Sequence, residues 1–189
     1  MARRKLSIGV ALAAIALSTL TVATPSSASR GGHEIKILDD CEPASFNANL
    51  PPGTCVGDGE TTFNSFIAEL VATQQARKWK FKPNMLTVVG GRPVILENRG
   101  GETHTFTLVQ EFGGGFIGAL NGLSGNPVPA PECASTLPNG DLVPKPSSPV
   151  NVFVSADKKA SFKTAGLSPG TYKFQCCIHP WMRVGLTVG

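Results

Sequence analysis

The sequence predicts an all-β protein built as a sandwich of two sheets, and three observations support this prediction. Short runs in which apolar and polar residues alternate recur along most of the chain, as half-buried strands require. Turn-forming residues separate these runs, and the 189 residues include 21 glycines and 15 prolines. No long stretch has the composition of a helix. This pattern predicts about seven or eight short strands, which is typical of a β-sandwich.

Residues 1–28 have the features of a secretory signal peptide. A basic start, Arg3-Arg4-Lys5, precedes an apolar run that ends at Ala23, and small residues continue to Ala28. The alternative is an anchor that stays in the membrane, but the short run and the small residues favour cleavage after Ala28. No second apolar segment is long enough to span a bilayer. We therefore expect an exported protein, periplasmic or extracellular, that does not span the membrane after cleavage.

The charge of the chain argues against nucleic-acid binding. Lys and Arg number 17 and Asp and Glu number 13, which gives a formal net charge of +4. Three of the basic residues lie in the predicted signal peptide, so 14 basic and 13 acidic residues remain after cleavage. A nearly neutral chain lacks the concentrated basic face that nucleic-acid binding requires.

Residues 29–75 are predicted to form an N-terminal extension that carries one short helix. Residues 33–38 have the alternation of a short strand. Five apolar residues recur with the spacing of one helix face and predict a helix at about residues 61–74: Phe63, Phe66, Ile67, Leu70 and Val71. Four acidic residues do not match the spacing of a calcium loop and are interpreted as solvated: Asp39, Asp40, Asp58 and Glu60.

Residues 76–189 are predicted to form the β domain, with a long loop insertion at residues 111–149. The predicted strands are residues 78–82, 85–89, 94–97, 103–110, 150–154, 160–164, 171–176 and 184–188. Within the insertion, Gly113–Gly118 is a formal match to a dinucleotide-binding fingerprint. That fingerprint belongs to a strand-to-helix unit that positions a pyrophosphate, which this sequence lacks, and the protein is predicted to be exported. We interpret the insertion as a surface loop.

The five cysteines all lie after the predicted signal peptide: Cys41, Cys55, Cys133, Cys176 and Cys177. An odd number in an oxidising compartment leaves one thiol unpaired. If Cys176 is a metal ligand, the other four can form two disulfides. We favour Cys41–Cys55 and Cys133–Cys177, although four cysteines allow three pairings and the sequence does not choose among them.

The segment from Cys176 to Met182 brings a thiolate, an imidazole and a thioether within seven residues, directly after a predicted strand. Soft sulfur together with imidazole favours copper. The chain has only three histidines, and His104, at the start of a predicted strand on the core side, is the best candidate for a second imidazole. Zinc is the main rival metal, since it also binds Cys and His. The thioether of Met182, close to Cys176 and His179 in the sequence, favours copper over zinc.

Three segments of the sequence resemble the cupredoxins, the blue type 1 copper proteins, and in particular their plastocyanin/amicyanin-like members. The segments are Trp79–Pro83 followed by Val88–Gly91, then Glu102–Thr107, and finally Gly170–Cys176 followed by His179–Met182. The last of these is the most specific. The resemblance covers about residues 76–189 apart from the insertion, and it does not extend to residues 29–75.

This resemblance implies a Greek-key β-sandwich that holds one type 1 copper ion. The implied ligands are His104, Cys176, His179 and Met182. The family often has Asn directly after the first histidine, where it braces the two ligand segments, and this sequence has Thr105 instead.

The family also implies how such a protein meets its partner. The ring edge of His179 is expected at an apolar surface, with Pro180 and Trp181 in a docking patch for a redox partner protein.

Cys177, next to the predicted ligand, is expected to point the other way along its strand. A second metal at that position is disfavoured, because a dinuclear copper site needs two cysteines several residues apart and these two are adjacent.

The predicted function is therefore single-electron transfer between redox partners by an exported copper protein that is not an enzyme. Copper oxidases and nitrite reductases need a further histidine cluster, which three histidines do not supply. The alternative is a copper carrier or storage protein in the cell envelope, which would release its ion readily.

Overall fold

A computed structural model describes residues 33–145 and 148–189 of the chain. The predicted signal peptide, residues 1–28, lies outside the described residues. In the part that is described, no helix is long and apolar enough to cross a membrane.

Two sheets form the body of the molecule. The first sheet has the order β2-β1-β4-β9, with β1 Glu34–Leu38, β2 Lys80–Lys82, β4 Pro93–Asn98 and β9 Lys159–Lys163. The second has the order β3-β11-β10-β5-β8, with β3 Met85–Val88, β5 His104–Val109, β8 Asn151–Val154, β10 Gly170–Gln175 and β11 Arg183–Val188. The predicted strands are therefore present, with boundaries shifted by one or two residues.

The connections between the sheets produce the Greek-key sandwich that was predicted. The chain passes from one sheet to the other five times: between β2 and β3, β3 and β4, β4 and β5, β8 and β9, and β9 and β10. Strands β10 and β11 form an antiparallel hairpin whose register runs from Gly170 opposite Val188 to Gln175 opposite Arg183. Two pairs are parallel, β1 with β4 and β3 with β11.

The core between the sheets is aromatic. Phe106 of β5 stacks on Phe174 of β10 with ring centroids 4.4 Å apart, and Phe81 and Phe162 contact Phe106 from the first sheet. All four rings are buried. Burying one such side chain contributes about 1.5–3 kcal/mol, so this cluster is a main source of cohesion between the sheets.

The predicted helix near residues 61–74 is confirmed as α2, Phe63–Thr73. It begins after Thr62, whose hydroxyl accepts the Ser65 N–H, and ends at Gln74, which has a left-handed φ of 59°. A second helix, α1, spans Pro43–Asn49 and was not predicted. Seven residues are too few to show a helical period. The carboxylate of Glu42 caps α1 by accepting two backbone N–H groups.

Residues 33–75 share their core with the rest of the described chain. Strand β1 lies between β2 and β4, and its Ile35 and Ile37 are fully buried. Phe46 of α1 and Phe66 of α2 both pack on Trp79, with ring centroids 5.9 and 4.6 Å away. The predicted boundary at residue 75 marks a change along the sequence, not the edge of the core.

The insertion at residues 111–149 has structure of its own. It contains α3 (Gly118–Leu123) and the small hairpin of β6 (Ala134–Thr136) and β7 (Leu142–Pro144). Gly115 lies against the carbonyl of Cys177, where a β-carbon would collide with the backbone. Close packing therefore accounts for a glycine of the Gly113–Gly118 run, in agreement with rejecting the dinucleotide interpretation.

Both favoured disulfides are confirmed. Cys41 pairs with Cys55, and Cys133 pairs with Cys177, which ties the insertion to the end of β10. Cys176 is the free cysteine among the described residues, and it is buried.

We predict that Phe46→Ala lowers the free energy of unfolding by about 3–5 kcal/mol, because the substitution leaves a cavity under three aromatic rings. Urea unfolding followed by tryptophan fluorescence measures the change. Val71→Ala is the control, since this side chain of α2 is 66% exposed. The variant should still unfold in one transition. Two separate transitions, or a loss below about 1 kcal/mol, would contradict a shared core.

Candidate metal centre

Two strands and one loop bring three of the predicted ligands together. His104 is the first residue of β5, Cys176 follows the last residue of β10, and His179 lies in the loop before β11. The loop is closed by its own backbone, since the Cys176 N–H donates to the Met182 carbonyl at 3.0 Å and the Met182 N–H donates to the His179 carbonyl at 2.9 Å. The hairpin register therefore fixes both ends of the segment that carries the cysteine and the second histidine.

The three donor atoms form a small triangle. Cys176 Sγ is 3.8 Å from His104 Nδ1 and 3.9 Å from His179 Nδ1, and the two Nδ1 atoms are 3.2 Å apart. The point in the plane of the three atoms that is equidistant from them lies about 2.1 Å from each. Metal–nitrogen and metal–sulfur bonds to such donors are about 2.0–2.3 Å long. The three residues fit one metal ion without rearrangement.

The fourth predicted ligand, Met182, is buried at the same end of the molecule. Its exposure is 1%, and its backbone is hydrogen-bonded to Cys176 and His179. Its role as a ligand stays a prediction from the resemblance. The third histidine of the sequence, His33, is outside the triangle, and its carbonyl accepts the N–H of Ile95 next to β1.

Thr105 braces the two ligand segments. Its hydroxyl accepts the Cys177 N–H at 2.7 Å, and its own N–H donates to Cys176 Sγ at 3.4 Å. A second N–H, from His179, points to the same sulfur at 3.5 Å. Thr105 is fully buried because the insertion covers this face of β5. The threonine thus makes the bracing contact for which the resemblance implied asparagine.

Asp39 is a functional residue that the sequence interpretation missed. Its Oδ2 lies 2.8 Å from His104 Nε2, and both side chains have no solvent exposure. The same carboxylate accepts the backbone N–H groups of Gly101 at 2.8 Å and Glu102 at 3.2 Å. A carboxylate at Nε2 holds the proton of the ring there and leaves Nδ1 directed to the triangle. The interpretation of Asp39 as solvated is therefore wrong.

Glu102 plays a similar part behind the second imidazole. Its Oε2 accepts the indole N–H of Trp79 at 2.5 Å and lies 3.6 Å from His179 Nε2. The carboxylate is nearly buried, with the residue 5% exposed. Each imidazole of the triangle consequently has an acidic side chain on its outer side, although only the one at His104 is within hydrogen-bond distance.

The buried charges reinforce one another. Burial raises the pKa of the Cys176 thiol, but His104 and His179 outweigh this effect and hold it well below its usual value. Burial lowers the pKa of His104, but Asp39 and Cys176 together raise it to about 10. Burial also raises the pKa of Asp39, and His104 with the two backbone N–H groups brings it below the usual value. Without metal, the site is a chain of carboxylate, imidazolium and thiolate, which is ready to exchange protons for a cation.

The predicted docking patch needs correction. His179 is only 2% exposed and Pro180 is buried, so neither presents an edge to solvent. The ring of Phe66, on α2, covers His179 with centroids 6.5 Å apart, and Trp181 covers it from another side at 5.4 Å. The resemblance does not extend to residues 29–75, which is why it could not indicate this cover. Trp181 alone of the predicted patch is partly exposed.

Comparison with known proteins adds only distant likenesses. No protein-family model matches this sequence, and a search of the curated proteins finds no match either. A purple cupredoxin from Nitrosopumilus maritimus is 16% identical over 60% of this chain and 86% of its own, with a TM-score of 0.37. A reduced mutant of amicyanin is 21% identical over 61% of this chain and 78% of its own, with a TM-score of 0.34.

A copper-containing nitrite reductase from Thermus scotoductus is also similar, at 17% identity over 58% of this chain and 20% of its own, with a TM-score of 0.33. The names of these structures agree with the cupredoxin resemblance of the motifs. Their identities and TM-scores are too low to carry an argument about ligands or activity, for which the geometry of the site is the basis.

We predict that Asp39→Asn weakens copper binding by about 10- to 100-fold, the usual cost of removing an outer hydrogen-bond partner of a metal-bound histidine. All the partners of Asp39 are donors, so an amide nitrogen has no acceptor there. Competition with a chromophoric Cu(I) chelator measures the affinity.

The neighbouring Asp40→Asn is the matched control. Asp40 bonds Lys78 and Thr61 away from the triangle, so the affinity should stay within about threefold of the native value. Equal losses in both variants would mean that Asp39 acts only through the stability of the segment.

Proposed function

We propose that this protein is an exported type 1 copper protein that carries single electrons. The observation that supports the proposal best is the triangle of one thiolate and two Nδ1 atoms, each within 4 Å of the others and buried in a β-sandwich. Cys176, His104 and His179 would hold the ion, with Met182 as the weak fourth ligand. When bound, copper supplies a centre that alternates between Cu(I) and Cu(II).

The chain's own contribution is to keep the donors still. Thiolate sulfur suits Cu(I), whereas imidazole suits both oxidation states. The hairpin fixes the two ends of the ligand loop, and Thr105 joins the loop to β5. Asp39 fixes the orientation of the His104 ring. Because these contacts join protein groups to one another and not to the ion, a change of oxidation state should move the donors little, and little energy is spent on reorganisation.

Burial favours an electron carrier over an enzyme. His104, Cys176 and His179 are each at most 2% exposed, so the space between them is not open to solvent, as a site that binds substrate at the ion would be. Among the described residues, the other cluster of metal-binding side chains is Asp39, Cys41 and Glu102, and the sulfur of Cys41 is in a disulfide. An electron can cross such a cover without contact between the ion and its partner.

The same burial weighs against the alternative, a copper carrier or storage protein. Handing over an ion requires that an incoming ligand reach it, and here aromatic rings close the site. Export is supported by the two disulfides, because such bonds persist in oxidising compartments.

Addition of Cu(II) to the purified protein should produce an intense visible charge-transfer band and a reversible one-electron wave. Cys176→Ser should abolish the band, because the thiolate is its source. The control Cys133→Ser/Cys177→Ser removes the neighbouring disulfide and should keep the band. A colourless native protein refutes the proposal, and a coloured one that loses copper to a mild chelator within minutes supports the storage function.

A further inference from the structure

Trp181 is the part of the ligand loop that reaches the surface. Its ring is 5.4 Å from the ring of His179, measured between centroids, and its indole N–H donates to the Ala76 carbonyl. The side chain is half-buried and lines an open cleft of about 600 Å³. It is therefore an aromatic contact between the buried imidazole and this cleft.

The walls of the cleft carry positive charge only. Its twelve lining residues are Gln75, Ala76, Arg77, Trp79, Lys80, Phe81, Lys82, Pro83, Asn84, Trp181, Met182 and Arg183. Four of them are basic and none is acidic. The guanidinium of Arg183 donates to Asn126 and to the Pro180 carbonyl, both outside this lining, so the charge of the cleft rests on Arg77, Lys80 and Lys82. Lys80 and Lys82 are exposed and make no ion pair within the described residues. Of the basic residues in this lining, Arg77 is the one with an ion pair among the described residues: Glu69 lies 3.6 Å away, across an exposed and therefore weak contact.

Lysines on two neighbouring strands make this edge of the sheet basic. Lys82 of β2 stands directly opposite Lys36 of β1, and Glu97 of β4 lies on the other side of Lys36. The chain after the predicted signal peptide is nearly neutral, so a cleft lined by basic residues and no acidic residue differs in charge from the chain as a whole. Such a cleft attracts anionic partners and speeds their encounter.

We propose that this cleft, which we call the basic cleft, is the docking surface for an acidic redox protein. The inference rests on the proposed function, because it names the face at which the copper exchanges electrons. In each encounter one electron passes between the ion and the partner by way of His179 and Trp181, so that one centre is oxidised and the other reduced. No proton moves and no bond is formed or broken.

Two features of the surface offer alternatives to docking at the basic cleft. In the first alternative, the lysines of the short edge strand β2 have the single role of preventing sheets from pairing edge to edge. An apolar groove of about 300 Å³ also touches His179, on the side of Ile67, Leu120 and Ile178, and is a second face at which transfer could occur. Neither edge protection nor transfer through the groove makes the sign of a partner's charge matter at Lys80 and Lys82.

The test uses the copper-loaded protein and two small probes of opposite charge. Stopped-flow oxidation of the reduced protein is measured with ferricyanide, a trivalent anion, and with tris(phenanthroline)cobalt(III), a trivalent cation. The variant Lys80→Glu/Lys82→Glu reverses two charges at the basic cleft. The matched control, Lys158→Glu/Lys163→Glu, makes the same change in net charge at exposed lysines next to and on β9, the opposite edge of the same sheet.

The cleft variant should react about tenfold or more slowly with ferricyanide and faster with the cobalt complex, while the control changes either rate by less than about twofold. Rising salt should slow the native reaction with ferricyanide. Equal ferricyanide rates in the two variants would overturn the basic cleft. The basic cleft would also be overturned if salt did not lower the rate at which the native protein reacts with ferricyanide. This second measurement does not depend on the folding of any variant.

The copper wave separates failure of this inference from failure of the proposed function. A native protein without a reversible wave refutes both. A normal wave with charge-independent rates refutes the basic cleft alone. Sedimentation of the native protein, but not of the cleft variant, with phosphatidylglycerol vesicles would assign the surface to a membrane instead of an acidic protein.

Discussion

A buried chain of charges, from the Asp39 carboxylate through the His104 imidazole to the Cys176 sulfur, is the interaction on which the rest of the centre depends. A buried carboxylate is tolerated only when its hydrogen-bonding capacity is used, and Asp39 is surrounded by the imidazole and the N–H groups of Gly101 and Glu102. Asp39 directly follows β1, which is held between β2 and β4. The position of one imidazole thus depends on a strand that enters the sheet some 65 residues earlier in the chain.

This dependence explains which features could be predicted from the sequence. The ligand loop, most strands and helix α2 follow from patterns within ten or so neighbouring residues, and such patterns are visible without knowledge of the fold. The disulfide of Cys177 could be favoured because alternation along β10 turns it away from Cys176. The bracing role of Thr105 was within reach because it adjoins a ligand.

Asp39 and Glu102 could not be recognised in the same way. An aspartate beside a second acidic residue, Asp40, has the appearance of a solvated turn, and nothing nearby shows that β1 will carry it to His104. The cover over His179 was missed for a related reason, because Phe66 was correctly placed on a helix but the helix had no assigned neighbour. Both features depend on contacts between segments that are far apart in the sequence, and neither segment has a local pattern that indicates the contact.

The adjacency of Cys176 and Cys177 has a consequence for disulfide formation. Cys133 bonds Cys177, and a bond from Cys133 to Cys176 would instead remove the free sulfur of the centre. Once β10 is paired with β5, the two side chains diverge to opposite faces of the sheet, and only Cys177 is within reach of Cys133. Backbone pairing of β10 with β5 therefore determines which of the two adjacent sulfurs Cys133 can reach, and it leaves the other sulfur free for an ion.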